Sequence, residues 1–438
     1  MKGPGRTGPG FLFLRASFLL GEAGCGRVGW LASSAIRTHG DSRTMDNPAL
    51  TKTPLKRLLS LDAARGITIA FMIMVNNNGG EGSWHFMNHA VWNGLTPTDL
   101  VFPTFVFVVG VSVVFSCEAR LAKGATRASL ARHTVQRAVI LILFGIVVNS
   151  FPFFELEHMR FYGVLQRIGI CYLVVGLFYL WDDRAWTKVA ALAVALVGYW
   201  ALVRWVPIPG VGVPGRDVPF MDMTQNIVSW VDRHLFPYHL YLNWPLHNTR
   251  DPEGLLSDIP AIGTALMGVL TGLWLRTGRA AKEKALGMLA GAVASLALGY
   301  LWSLEFPLNK NMWTSSYVLV AAGYSLLLLT LCYWAVEVMD WRKGWTYVWL
   351  VFGSNAITAY MISELGADLL WSVKRTPAGG ITISPNDRLV AWEPGFFQQT
   401  FARIPNPHWA AFAYSVTFTT LCFIPVWIMY RKKIFLKV

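Results

Sequence analysis

The chain has 438 residues, 54% of them hydrophobic and 14% charged, with a mean hydropathy of +0.42 and a formal charge of +13. That composition is too apolar for a water-soluble protein of this length, so soluble enzyme classes are excluded at the outset. Five cysteines stand singly without CxxC or Cys/His spacing, which argues against a disulfide framework and against a metal site.

Residues 1–44 are rich in Gly and Arg, and their apolar patch, Phe11 to Leu20, is too short to span a bilayer. Met45 opens a segment that reads as a natural cytoplasmic start. Residues 1–44 are therefore expected to be a non-native or disordered extension, and residues 45–438 a single transmembrane domain.

Apolar spans follow near 61–77, 99–116, 134–150, 161–181, 187–206, 259–275, 284–302, 314–337, 346–365 and 409–430. A bilayer core of about 30 Å calls for segments of this length. Their backbones must satisfy their own hydrogen bonds in lipid, so the expected fold is all-α: a polytopic bundle of about ten transmembrane helices. No internal repeat is visible, nor the inverted pair of Gly- or Pro-broken helices that marks many transporters.

Lys and Arg alternate between the connecting segments. Roughly half as many lie in the outside set as in the inside set, although the outside set is about twice as long. Both termini are thus expected in the cytoplasm, with the long loops 78–98, 207–258 and 366–408 outside. The positive charge is accounted for by topology, and nucleic acid is not expected as a partner.

The densest polar stretch is VNNNGGEGSWHFMNHAVWNGLTPTDLVFP, Val75 to Pro103. His89 is the natural proton acceptor, since imidazole titrates near neutrality. Asp99, ten residues on, can orient the imidazole or simply cap the second helix. Asn76 and Asn93 can donate to a carbonyl oxygen or hold sugar hydroxyls, or can stop a helix and make a turn; Trp92 offers a flat face beside them.

Arg167 lies inside an apolar span, where an ionisable side chain needs a partner or an anionic ligand. Asp251 and Glu253 in RDPEG precede a helix, a position that also suits a cap. Lys310 lies between Asn309 and Asn311 on the lysine-poor face and joins the substrate-binding candidates. On the inner face, Asp62 and Arg65 sit three apart and can pair. Arg65, Arg132 and Arg137 are basic residues of the inner face suited to an anionic ligand. Phosphate-binding GxxxxGK[ST], HExxH and GxSxG motifs are missing, so ATP-driven transport, zinc proteolysis and serine hydrolysis lack sequence support.

The block SLDAARGITIAFMIMVNN…WHFMNHAVWNGLTPTDLVFPTFVFVVGVSVVFS, with GVLQRIG, DPEGLL, FPLNKNMWTSSY and YRKKIFLKV, resembles the heparan-alpha-glucosaminide N-acetyltransferase family, including its bacterial members. The resemblance implies acetyl transfer from cytoplasmic acetyl-CoA to an amino sugar or glycan across the membrane, for which Arg65, Arg132 and Arg137 are the candidates to hold the coenzyme-A phosphates. It places the active-site histidine on His89, its neighbouring asparagine and aspartate on Asn93 and Asp99, and the helix-closing asparagine on Asn76. Direct transfer is favoured, because neither cysteine nor serine adjoins His89. A bacterial inner membrane is the expected location, with lipid as surroundings and the oligomeric state open between monomer and homodimer. The rival readings are a glycan or lipid-linked sugar transporter and a noncatalytic scaffold.

Overall fold

A computed structural model of the chain describes residues 58–80, 82–152, 154, 156, 159–241, 249–342, 344–375, 381–383, 400–401 and 403–436. The extension expected over 1–44 lies outside them. Every apolar run within them is helical. The helices are α1 (Leu59–Asn76), α2 (Val101–Leu121), α3 (Arg127–Ser150), α4 (Val164–Trp181), α5 (Ala185–Trp205) and α6 (Ile227–Leu235). They continue with α7 (Asp258–Leu275), α8 (Ala281–Trp302), α9 (Ser315–Tyr333), α10 (Thr346–Ser354), α11 (Ala356–Ser372) and α12 (Pro407–Arg431). Nine of these elements are long and apolar enough to cross a membrane. The chain is an all-α polytopic membrane protein, and a short antiparallel hairpin pairs Val373–Arg375 with Ile381–Ile383.

Two departures from the sequence reading affect the site. The run 346–365 is two helices, α10 and α11, broken at the buried Asn355. The Asn355 amide donates to the Ile434 carbonyl at 3.1 Å and accepts from the Leu436 N–H at 3.1 Å, so the C-terminal tail supplies the hydrogen bonds of the break. In the loop after α5, α6 forms where only irregular chain was expected, with the Asn226 side chain capping it through Ser229 N–H.

Helices α1, α2 and α7 are the most buried, each with 67% of its apolar window inside, against 22% for α5. Lipid is as apolar as leucine, so close approach of backbones, rather than hydrophobicity, selects partners inside a membrane. A Cβ on Gly110 would lie 2.0 Å from the Ala265 carbonyl oxygen, and one on Gly268 would lie 2.0 Å from that of Phe107. The same device joins α1 to α10, where a Gly353 Cβ would meet the Asp62 carbonyl at 2.0 Å. Because the obstacle is backbone, Gly110→Ala is expected to cost about 1–3 kcal/mol. The check is the thermal midpoint in detergent; an unchanged midpoint would show that α2 and α7 separate freely.

Short turns join α2 to α3, α4 to α5 and α7 to α8 at one end of the bundle. The other end carries the long connections that hold His89, Glu253 and Lys310.

Candidate active site

The loop from α1 to α2 is held by Asn88. Its side-chain oxygen accepts from Asn78 at 2.8 Å and Ser83 at 2.9 Å, its amide donates to the Trp84 carbonyl at 3.1 Å, and its own carbonyl accepts from the Thr96 hydroxyl at 2.7 Å. The next residue, His89, is thereby fixed at the backbone while 49% of its side chain stays open.

Asp99 lies in a 3₁₀ turn, Pro97–Leu100, that leads into α2. Capping and orienting were alternatives for it; the geometry has both, one oxygen each. Oδ2 accepts from the N–H groups of Thr96 at 3.0 Å and Ala90 at 3.1 Å, and Oδ1 faces His89 Nδ1 at 2.7 Å. Tyr317 of α9 donates to the Asp99 carbonyl at 2.5 Å. An ionised carboxylate only accepts, so the proton of the His89 bond is on Nδ1 and the lone pair is at Nε2.

Lys310 arrives from 221 residues away, its Nζ 3.2 Å from each ring nitrogen. Its loop is stitched to the His89 loop: Gly94 N–H donates to the Leu308 carbonyl at 2.9 Å, and the Asn309 amide donates to Asn93 Oδ1 at 3.1 Å. Asn309 also accepts from Met312 N–H at 2.9 Å, which closes the turn around the lysine.

Surrounding protein strips water from the His89 ring and lowers its pKa below the ordinary histidine value. The Lys310 cation acts in the same sense, and Asp99 opposes both. Lys310 is itself lowered, chiefly by loss of water, although the charges of Asp99 and Glu253 work against that shift.

RDPEG does not cap α7. Arg160 grips it, donating to both Asp251 oxygens at 2.7 and 2.5 Å and to Glu253 at 2.5 Å. Burial works to raise the Glu253 pKa, but Arg160, with help from Arg167 and Lys310, holds it below the ordinary glutamate value. Glu253 stands close enough that its charge acts on both His89 and Lys310.

Arg167 lies in the first turn of α4. Its Nε donates to Asp258 at 2.8 Å, its Nη2 to the Gly254 carbonyl at 2.9 Å and to the Ser257 hydroxyl, and its guanidinium lies 4.8 Å over the Trp313 ring. Those donors are engaged by protein, and the residue holds the 252–257 turn in place. Asp232 of α6 accepts from Leu255 N–H at 3.1 Å beneath the same turn. Burial, reinforced by the nearby Asp251, pushes its carboxyl up to about 7.

His89, Asp99, Lys310, Glu253, Asp251 and Asn93 are thus brought into one constellation. Trp92 turns away, its indole N–H on the Met221 carbonyl at 2.8 Å and Arg250 stacked 4.1 Å over its ring. Asn76 donates to Glu364 of α11 at 3.1 Å. Arg65 lies toward the opposite end, with Asp62 at 3.0 Å and Ser112 at 2.7 Å. On α3, Arg132 is exposed, whereas Arg137 is half-buried with its guanidinium 4.9 Å over the Tyr172 ring. Sequence reading missed Arg160, Asn88 and Asp258; the one usable signal was an arginine on the face where basic residues are scarce. Among the described residues no group of three or more His, Cys, Asp or Glu side chains is placed to hold a metal ion.

These features define a polytopic helical membrane protein with a histidine–aspartate pair and a convergent lysine at one end of its bundle. The chain belongs to the family described as heparan-alpha-glucosaminide N-acetyltransferase, catalytic, whose profile matches residues 57–298. That match includes His89, Asp99, Arg160, Arg167 and Glu253 and ends before Lys310. The chain is 28% identical over 365 residues to the Mus musculus heparan-alpha-glucosaminide N-acetyltransferase, covering 73% of this chain and 55% of that one. It is also 28% identical over 428 residues to the Homo sapiens protein of that name, covering 87% of this chain and 60% of that one. The chain therefore spans less than two thirds of the length of these relatives.

Proposed function

We propose that the chain is a transmembrane acetyltransferase that moves the acetyl group of cytoplasmic acetyl-CoA to an amino sugar or glycan on the far side of the membrane. The observation that carries the reading is the His89–Asp99 pair, with its imidazole open and neutral and Lys310 beside it, in a chain of this family.

The acceptor amine attacks the thioester carbonyl carbon directly. Its proton passes to His89 Nε2 and then to the departing coenzyme-A thiolate, so atoms and charge balance. Asp99 fixes the tautomer and stabilises the imidazolium as it forms. Lys310 supplies a positive charge for the carbonyl oxygen as it becomes an oxyanion, with Asn93 as a further donor at the rim. Glu253 stands on the acceptor side, where a carboxylate attracts a sugar ammonium, and the buried Asp251 anchors the Arg160 that holds it. Arg65, Arg132 and Arg137, at the opposite end, serve the coenzyme-A phosphates.

Purified chain in nanodiscs, given labelled acetyl-CoA and a panel of amino sugars, should yield acetylated sugar. Glycan movement across the membrane without acetylation would replace this reading with a transporter. One variant reports on Lys310 in particular. Its cation lowers the His89 pKa, so Lys310→Met raises that pKa. The acid limb of kcat/KM then shifts to higher pH, on top of a loss of about 10²-fold or more from the missing oxyanion charge. An acid limb that stays in place would remove Lys310 from the site.

A further inference from the structure

Arg120, His133 and Arg137 line a narrow cleft between α2, α3 and α4, at the end of the bundle opposite His89. Glu118, next to the lining residue Cys117, is engaged elsewhere: it pairs with Arg276 at 2.8 Å and accepts from Tyr179 at 2.7 Å. What remains facing the cleft is basic. Arg120 and Arg137 both stand close enough for their charges to act on His133.

Arg137 is the telling member. It lies three residues inside the apolar span 134–150, about 5 Å beyond that span's inner end. Among the described residues it pairs with no carboxylate; its guanidinium has only the Tyr172 ring, and its Nε is buried without a hydrogen-bond partner. A half-buried guanidinium inside an apolar span is costly unless an anion joins it. Its side chain leans toward the helix N-terminus, as all side chains on a helix do, and so toward the mouth where Arg120 and His133 wait. Ser116 and Thr134 line the same cleft with hydroxyls.

We propose that this cleft is a phosphate-binding site, in which Arg137 takes the phosphate from below and His133 and Arg120 close over it. Two sources present that chemistry at this end of the bundle: a phosphate of coenzyme A, which rests on the function proposed above, and the headgroup of an anionic phospholipid, which does not. The inference adds Arg120 and His133 beside Arg137; the exposed Arg132 does not line this cleft.

Binding, rather than turnover, separates this inference from the enzyme reading. Desulfo-coenzyme A is titrated calorimetrically into the full chain in phosphatidylcholine nanodiscs. Retention of phosphatidylglycerol by the detergent-purified chain is measured in parallel by native mass spectrometry. Arg137→Gln should weaken one of the two by about tenfold or more, the scale of a lost charged hydrogen bond, and which one it weakens names the source. Arg184→Gln, a surface change paired with Asp182 at the same end, should alter neither. If Arg137→Gln does not yield folded protein, Arg120→Gln and His133→Gln together carry the test. Unchanged affinity for both probes in folded variants would overturn the proposal.

Discussion

His89→Ala is expected to abolish acetyl transfer while leaving the fold intact. The ring is half open and, among the described residues, makes only the Asp99 bond and the Lys310 contact, so little of the core depends on it. Its chemical contribution is large. A positioned general base is worth about 10²–10⁴-fold, and here the same group also returns the proton to the thiolate. Asp99→Asn should impair rather than abolish, because the amide keeps a hydrogen bond but loses the charge that stabilises the imidazolium. It will also disturb the turn before α2, since Oδ2 accepts from two backbone N–H groups. The assay is labelled acetyl transfer by protein that elutes as a single folded species. Near-wild-type turnover by His89→Ala would exclude it as the base.

Arg167→Leu is expected to have the largest effect on folding. The guanidinium side chain is 0% exposed and its partner Asp258 is 7% exposed, so the substitution leaves a carboxylate uncompensated at the entrance to α7. Breaking a buried pair from one side costs about 3–5 kcal/mol. It also releases the Gly254 carbonyl and the Ser257 hydroxyl, and with them the turn that presents Glu253. Removing both charges in Arg167→Leu/Asp258→Leu should recover part of the folded yield, because no lone charge is then left behind. A wild-type thermal midpoint for the single variant would mean that Asp258 is satisfied by something other than Arg167.

The sequence by itself determined the helices and the chemistry available at the loop-rich end. A run of about twenty apolar residues in lipid has no other way to satisfy its backbone, so its conformation is a local property. Asp99 as a turn residue and His89 as a candidate proton acceptor could be named for the same reason: the turn chemistry and the intrinsic pKa belong to the residues themselves.

Only the tertiary structure decided which of these groups meet. Lys310 reaches His89 across 221 residues, Arg160 reaches Asp251 across 91, and Arg167 reaches Asp258 across 91. Membrane helices are apolar on nearly every face, so periodicity does not reveal which face meets which neighbour; the close glycine contacts of Gly110, Gly268 and Gly353 set that, and their partners are distant in sequence. The break at Asn355 was hidden for a related reason. The residues on both sides are as apolar as any other span, and what permits the break is the hydrogen bonding supplied by Ile434 and Leu436, which the local sequence around Asn355 does not contain.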